Sequence, residues 1–438
     1  MRLTAVRSFR EEDTARPGRL TALVGRVSPR AWVGITGSEL QRTHLSLPRY
    51  SALTGGGLAL AAVQVMLMPR WLAPRQFGLV VLSISATQAV LQLGDLGLVR
   101  VCIDGTRSPA DRSQLRHQGR SMTLLSTTAL LLVTAGLWPV VASPQRPVLV
   151  AMALGGLAAQ MVAADKFRGA RAEVAGDEVA ASGLNFLWTN APKLGLVIGV
   201  LFFRSVVGIT SLAFVVAWLL CAPVWPRYHD AWTALRRVGV WGLPFTAIGS
   251  SFVLMWGDTY FLSAHVGVAR AGAYEALYRV MGACTYGFLP WVSVLTSRVS
   301  VAEGRPIARP LLLAVAVTAA LLACATGFIL ALGRSFFPHL RLPLEAVPGL
   351  LALYMLLPAS YCLGSALYVR AQGRAVTYIT AVGAGVALVG HALFTLRGGP
   401  AAASVVTATA MAVVVVALAL VYRRSAIGLL PGVASIAR

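Results

Sequence analysis

Stretches of about 20 predominantly apolar residues recur along the whole chain, and each could cross the ~30 Å hydrocarbon layer of a bilayer as a helix. The runs cover 51–69, 77–97, 121–142, 147–164, 183–203, 206–226, 238–263, 274–297, 310–332, 347–369, 375–396 and 401–422. Of the 438 residues, 57% are hydrophobic and 12% are charged, whereas a soluble domain is about 25% charged. The sequence therefore predicts an all-α polytopic membrane protein with about twelve transmembrane helices.

The basic residues are distributed unevenly between alternate loops. One set of loops, together with both termini, holds 28 Lys and Arg residues, and the opposite set holds 8. Because cytoplasmic loops collect Lys and Arg, both termini are predicted to be cytoplasmic. The net charge of +22 is then explained by membrane orientation, and no nucleic-acid partner is expected. Residues 1–46 are predicted to be a disordered basic tail, and 426–438 a second cytoplasmic tail.

The connecting segments are too short to hold a catalytic domain. The longest outward loop, near 333–346, has about fourteen residues. No pair of Asp or Glu residues is placed for acid–base catalysis, and the histidines are scattered singly, which is unlike a metal site. The five cysteines show no metal-ligand or redox spacing. The function is therefore predicted to reside in the helices, without a cofactor, and not to be enzymatic.

Two short segments at equivalent positions indicate an internal repeat. "RWLAPRQFGLVVL" at 70–82 joins the first and second predicted helices, and "HVGVARAGAYEAL" at 265–277 joins the seventh and eighth. Superimposing Gly78 on Gly272 places six helices in each half, both starting on the same side of the membrane. Parallel repeats of this kind form two lobes around a central substrate site in transporters. The predicted pseudo-symmetric lobes cover 47–230 and 231–425.

Four predicted helices carry polar residues along one face, as a helix lining a wet cavity does. On the second helix these are Ser85, Gln88, Gln92 and Asp95. On the fifth helix they are Asn185, Thr189 and Lys193, with Asn190 beside them. On the seventh helix these are Ser251 and Asp258, and on the eighth they are Arg279, Tyr286 and Ser293. Polar residues also join neighbouring helices by hydrogen bonds worth about 0.6 kcal/mol each, and that alternative stays open. The twelfth helix has only small hydroxyl residues and is predicted to face lipid.

Five charged residues fall inside predicted spans: Asp95, Lys193, Asp258, Glu275 and Arg279. Lys193 lies near the middle of the fifth, where a charge costs roughly 2.5–3.5 kcal/mol on insertion scales; it needs water, a distant carboxylate or an anionic ligand. Asp258 and Arg279 lie about five residues from the adjoining ends of the seventh and eighth helices, which predicts an ion pair. Glu275, four residues before Arg279, is a competing partner. Alternatively, Asp258 binds a coupling ion while Arg279 holds an anion.

Two longer segments resemble a known family. "RWLAPRQFGLVVLSISATQAVLQLGDLGLVR" at 70–100 is similar to the first hairpin of Wzx-type polysaccharide flippases. "WGLPFTAIGSSFVLMWGDTYFLSAHVGVARAGAYEALYRV" at 241–280 is similar to their seventh and eighth helices. These flippases belong to the multidrug/oligosaccharidyl-lipid/polysaccharide (MOP) exporter superfamily. "TSR" at 296–298 departs from the usual ending of the eighth helix in that family.

The resemblance implies alternating-access translocation of a polyprenyl-pyrophosphate-linked oligosaccharide across the bacterial cytoplasmic membrane, during polysaccharide biosynthesis. It implies pyrophosphate contacts from Lys193, Arg279, Arg100 and Arg298, and sugar contacts from Gln88, Gln92 and Asn190. Asp258 is the expected coupling residue, for H+ or Na+, and Asp95, Gly78 and Gly272 are expected to have structural or gating roles. The expected partners are the lipid-linked oligosaccharide, the bilayer, a polysaccharide polymerase and glycosyltransferases.

Two other functional classes remain open at the level of the sequence. An ion-coupled exporter of drugs or other small molecules in the same superfamily would have an acidic cavity in place of Lys193 and Arg279. A membrane-bound glycan polymerase, ligase or glycosyltransferase would need catalytic acids or a cluster of arginines, usually on a sizeable loop. Arg100 and Arg298, at the predicted inner mouth, have an alternative role as ordinary positive-inside flanking residues.

Overall fold

The structure is a computed structural model, and its description is confined to part of the chain. The described residues are 56, 59–60, 63–64, 66–93, 109–141, 143, 146–174, 178–221, 242–286, 308–369 and 372–426. All of them belong to one compact unit, Ala52–Arg438. The predicted tails, 1–46 and 426–438, lie outside the described residues apart from residue 426.

The described residues form helices that follow the predicted spans in order. Helix α1 comprises the described helical residues within 56–71. The others are α2 (Pro74–Leu93), α3 (Pro109–Leu137), α4 (Arg146–Val174), α5 (Glu178–Phe202), α6 (Val206–Leu220), α7 (Gly242–His265), α8 (Val268–Tyr286), α9 (Ala308–Phe336), α10 (Val347–Val369), α11 (Gly373–Gly390) and α12 (Leu396–Ala426). A short 3-10 helix, Leu344–Ala346, precedes α10, and a π-helical turn, His391–Thr395, joins α11 to α12. The all-helical, twelve-helix prediction is confirmed.

Several helices have the length and composition of membrane spans. Four described segments meet both requirements: Arg146–Ala163, Leu311–Phe336, Leu344–Gly364 and Gly373–Arg424. Shorter apolar helices occupy Ser121–Leu137, Asn190–Phe202 and Val206–Leu220. Within hydrocarbon a helix satisfies its own backbone hydrogen bonds, which explains why the described part of the chain is built from helices. The protein is a multi-pass membrane protein.

The helices pack as two lobes that meet along α2. In the first lobe, α4 packs against α2, α3, α5 and α6. In the second lobe, α12 packs against α7, α10 and α11, and α8 packs against α7, α9 and α10. Helix α2 contacts α7 and α8 across the boundary. This arrangement agrees with the predicted repeat of six helices in each half.

The two glycines that the sequence repeat superimposes lie against each other at the boundary. A Cβ atom added to Gly272 would lie 2.9 Å from the Cα of Gly78. A Cβ atom added to Gly78 would overlap the backbone carbonyl of Val268, at the start of α8. Small residues allow helix backbones to approach closely within a membrane, where the hydrophobic effect does not drive association. Repeat-equivalent residues that face each other are what a pseudo-two-fold axis between the lobes requires.

Helix α12 has one buried face and one exposed apolar face. It was expected to face lipid, but one of its faces is buried against α10 and α11. The buried residues include Ala403, Ser404, Thr407, Ala410, Met411, Val414 and Leu418. The opposite face, with Val405, Val416 and Leu420, is exposed. The exposed apolar face agrees with the prediction that α12 faces lipid. The small side chains of the buried face allow close helix packing without a polar stripe.

Substituting Gly78 by alanine is expected to destabilise the contact between the lobes. The added methyl group must displace the backbone of Val268, and overpacking of this kind costs about 1–3 kcal/mol. The measurement is the thermal unfolding temperature of the purified protein in detergent. Gly385→Ala is the matched control because no atom lies within 4 Å of its added Cβ; alanine should stabilise that helix interior by up to about 1 kcal/mol. Equal unfolding temperatures for the two variants would contradict the prediction.

Candidate functional site

Lys193 lies on α5 directly after Pro192, which is inside the helix. Proline has no backbone N–H, so the helix lacks one hydrogen bond at this turn. The Lys193 side chain is half-buried, and its Nζ donates to the side-chain oxygen of Asn190 at 3.4 Å. Among the described residues, no carboxylate oxygen lies within the 4.0 Å ion-pair distance of this ammonium. Its charge is therefore not neutralised by the part of the protein that the structure describes.

Lys193 is one of the residues that line a small cavity inside the first lobe, where apolar residues outnumber polar ones. Helices α2, α4, α5 and α6 form its wall, and Ser83, Thr87, Gln88 and Thr210 supply polar side chains. The cavity has a volume of about 10 Å³, which is close to the minimum for a single water molecule. Lys193 therefore lies in a wall that can be hydrated, together with the predicted residue Gln88, but a sugar or a diphosphate does not fit in this conformation.

Arg279 on α8 forms an ion pair with Glu275, with 2.9 Å between Nε and Oε1. Its guanidinium also lies over the ring of Trp256, 5.7 Å from the ring centroid. Its Nη2 atom is buried and has no hydrogen-bond partner among the described residues. The guanidinium therefore keeps a free donor beside its ion pair.

The predicted ion pair between Asp258 and Arg279 is wrong, whereas the competing Glu275–Arg279 pair is confirmed. Helix α8 begins at Val268, six residues before the predicted start of its span. Arg279 therefore lies about 16 Å along α8, while Asp258 lies about 10 Å from the end of α7. The difference is about one helical turn, which brings Tyr274 to Asp258 and leaves Arg279 to its i−4 neighbour.

Asp258 lies in a buried hydrogen-bond network between α7 and α8. It accepts from the hydroxyl of Tyr274 at 2.6 Å and from the backbone N–H of Thr259 at 2.7 Å. The Thr259 hydroxyl donates to Glu275 at 2.8 Å. Asp258, Thr259, Tyr274 and Glu275 are each at most 1% exposed. Buried carboxylates are stable only when such donors replace water. The network therefore holds Asp258 and Glu275 away from solvent, and Glu275 is also paired with Arg279.

Lys193 and Arg279 come from different lobes and are close enough for their charges to repel each other. Like charges in a region of low dielectric are destabilising unless water or an anion lies near them. Arg279 is compensated by Glu275, but Lys193 has only the amide of Asn190 as a described partner. Of these two cations, Lys193 is therefore the one whose charge the described neighbours do not neutralise.

The remaining predicted site residues are placed as follows. Gly78 and Gly272 form the lobe contact, and Asn190 is buried beside Lys193. Gln92 lies on α2, but its side chain is outside the described part of the structure. Asp95, Arg100 and Arg298 are outside the described residues altogether. The roles predicted for these four residues stay predictions.

A second polar cluster, centred on His391, was missed from the sequence. His391 is fully buried in the π-helical turn. Its ring nitrogens form hydrogen bonds with the hydroxyls of Thr395, at 3.0 Å, and Thr407, at 3.3 Å. The ring stacks on Phe261 of α7, with centroids 5.3 Å apart. The spacing of His391 and Thr395, four residues apart, was the available signal, since residues at this spacing meet on one helix face.

No protein-family model and no curated protein sequence matches the chain. Solved structures do match. The lipid II flippase MurJ, in an inward closed conformation, aligns with a TM-score of 0.59 at 12% identity, covering 85% of this chain and 87% of MurJ. An inward-facing multidrug resistance MATE transporter of the MOP superfamily aligns with a TM-score of 0.51 at 16% identity, covering 85% of this chain and 95% of the other. A MATE protein in complex with MaD3S aligns with a TM-score of 0.52 at 14% identity, covering 88% and 96%.

These likenesses define the class of fold. The chain shares its fold with the lipid II flippase MurJ and with a MATE transporter of the MOP superfamily. The superfamily predicted from the two sequence segments therefore agrees with the fold, and the narrower Wzx-type branch stays a prediction.

Substituting Tyr274 by phenylalanine is expected to lower stability because the Asp258 carboxylate loses a donor at 2.6 Å. Hydrogen bonds to charged groups contribute about 1.5–3 kcal/mol. The measurement is the thermal unfolding temperature in detergent. Tyr378→Phe is the matched control, since Tyr378 is 62% exposed, and it should leave the temperature unchanged. A Tyr274→Phe protein as stable as this control would contradict the role given to the network.

Proposed function

We propose that the protein translocates a polyprenyl-pyrophosphate-linked oligosaccharide from the inner to the outer leaflet of the bacterial cytoplasmic membrane by alternating access. One observation carries the proposal: Lys193 of the first lobe has no ion pair among the described residues, and its charge acts on Arg279 of the second lobe. The fold supports it, because MOP-superfamily transporters have this arrangement of helices. The MurJ neighbour is itself named as a flippase of a lipid, lipid II.

A diphosphate is the ligand that suits this pair of cations. An ammonium binds phosphate as a point charge, and a guanidinium binds it as a fork of donors. Lys193 has its amide partner at the long distance of 3.4 Å, and Arg279 has a donor without a described partner. Lys193 can therefore donate to a phosphate oxygen without losing an ion pair. Arg279 can donate from Nη2 while its Nε stays paired with Glu275.

The rest of the cargo follows from the cost of crossing hydrocarbon. Sugar hydroxyls and phosphate charges cannot leave water without replacement partners. The amides of Gln88, Gln92 and Asn190 would supply such partners to the sugars, while the polyprenyl chain stays in lipid. Arg100 and Arg298 would contact the phosphates at the inner mouth. Glycosyltransferases would supply the cargo and a polysaccharide polymerase would consume it.

An exporter of cationic drugs is less well supported by the charges of the site. Such a protein needs an acidic group that is free to hold the cation. In this structure each oxygen of Asp258 and Glu275 accepts a hydrogen bond from a protein donor. Lys193, by contrast, has no ion pair among the described residues and is the group that would hold an anionic cargo.

Removing either cation is expected to weaken binding of the anion. Lys193→Gln and Arg279→Gln should each lower affinity for a short-chain polyprenyl pyrophosphate about 10- to 100-fold, since a hydrogen bond to a charged group is worth about 1.5–3 kcal/mol. The double variant should lose less than the sum because both side chains act on one ligand. Binding is measured by calorimetry in lipid nanodiscs.

Arg374→Gln is the matched control for charge, because Arg374 is exposed at the start of α11. It should bind the ligand like the unsubstituted protein. Unchanged affinity in both Lys193→Gln and Arg279→Gln would rule out an anion site at this boundary.

Asp258 is the residue proposed to couple transport to H+ or Na+. Its carboxylate is 1% exposed and lacks an ion pair among the described residues, so a proton or a sodium ion would neutralise it. Asp258→Asn should make translocation in proteoliposomes independent of the coupling ion. Applying a pH gradient and a sodium gradient separately identifies the ion, since only the gradient of the coupling ion should lose its effect on translocation in Asp258→Asn. Full retention of both dependences in Asp258→Asn would exclude Asp258 as the coupling residue.

A further inference from the structure

The hydroxyl of Thr259 lies between two buried carboxylates. Its Oγ1 is 2.8 Å from Glu275 Oε2 and 3.4 Å from Asp258 Oδ1. Thr259 itself is 1% exposed, so the surroundings offer little access to water. A threonine hydroxyl has one hydrogen to donate and can also accept. It can therefore donate to only one of these carboxylates at a time.

The protonation state of Asp258 determines how this single hydrogen is used. When Asp258 is ionised, both carboxylates compete for the hydroxyl hydrogen of Thr259. With that hydrogen donated to Glu275, no hydrogen lies between Thr259 Oγ1 and Asp258 Oδ1. When a hydronium ion of the aqueous phase transfers its proton to Asp258 Oδ1, leaving a water molecule, that oxygen becomes a donor to Thr259 Oγ1. The hydrogen of Thr259 is then donated to Glu275 alone. No other bond is made or broken.

Glu275 carries this difference to Arg279. Its second oxygen, Oε1, accepts from Arg279 Nε at 2.9 Å. Direct contacts therefore run without a gap from Asp258 through Thr259 and Glu275 to the guanidinium. A carboxylate that receives a full hydrogen bond from Thr259 attracts Arg279 less strongly, because its charge is shared between two donors.

We propose that Thr259 is a positioning residue that links proton binding at Asp258 to anion binding at Arg279. This inference rests on the proposed function, because it assigns a coupling route to the same anion site. Protonation of Asp258 makes Arg279 more available to the anion, and by linkage a bound anion favours the proton on Asp258. Thr259 does not touch the cargo and acts only through Glu275.

The other titratable groups near this route are few among the described residues. Helix α8 presents Tyr274 and Glu275 to Asp258. The π-helical turn presents His391, whose ring stacks on Phe261 and whose nitrogens bond to Thr395 and Thr407. Helix α5 presents Lys193, whose charge acts on Arg279. No described charged group of α2, α11 or α12 acts on Asp258.

The test compares Thr259→Val, which has nearly the same shape and no hydroxyl, with Thr259→Ser, which restores the hydroxyl. Binding of inorganic pyrophosphate to the full-length protein in nanodiscs is measured at about pH 6 and about pH 8, on either side of neutral pH. The comparison shows whether affinity depends on the binding of a proton. Pyrophosphate itself titrates in this range, but every variant meets the same ligand, so differences in pH dependence report on the protein.

The quantity compared is the affinity at pH 6 divided by the affinity at pH 8. In the unsubstituted protein and in Thr259→Ser this ratio should exceed the Thr259→Val ratio by at least about fivefold, which is the low end of typical coupling between two sites. His391→Asn should keep the larger ratio, which excludes the histidine as its source. Equal ratios for Thr259→Val and the unsubstituted protein would overturn the role of Thr259, and so would loss of the larger ratio in His391→Asn.

The proposed function fails in a different way. If pyrophosphate affinity is unaffected by Lys193→Gln and Arg279→Gln at both pH values, the anion site is absent and the coupling inference falls with it. If those two variants lose binding but Thr259→Val keeps the full pH dependence, the anion site stands and only the route through Thr259 is overturned.

Discussion

The absence of water from the bilayer core is the constraint on which this structure depends. It requires each backbone segment to satisfy its own hydrogen bonds, which gives helices, and it requires every buried charge to find a partner. The Asp258, Glu275 and Arg279 side chains meet this requirement with hydroxyls and one ion pair. Lys193 meets it only in part, with one amide at 3.4 Å. The incomplete neutralisation of Lys193 distinguishes the lobe boundary from an ordinary helix interface.

Much of the architecture could be predicted because it depends on composition and length. Apolar runs locate the helices, and the repeat around Gly78 and Gly272 locates the contact between the lobes. The Glu275–Arg279 pair also followed from spacing, since residues four apart on a helix are neighbours. These features depend on local sequence, and errors of a few residues at a helix end do not alter them.

The site could be predicted less well because it depends on helical phase and on side chains from several helices. A six-residue error in the start of α8 was enough to give Asp258 the wrong partner. His391 and Thr407 are sixteen residues apart and meet because the helix breaks at Gly399 between them, so that the π-helical turn packs against α12. Thr259 looked like one hydroxyl among many, and only the positions of both carboxylates around it make it distinctive.

The contact between Gly78 and Gly272 has a mechanical consequence. Gly78 is the fifth residue of α2, and the helix continues for fifteen more residues to Leu93, a length of about 22 Å. With the backbones touching at one end, that contact is a fulcrum and the rest of α2 is a lever arm. A tilt of about 20° at the fulcrum displaces the far end by about 8 Å, by the geometry of a helix of that length. A small rotation at two glycines would thus give a large displacement at the opposite end of α2.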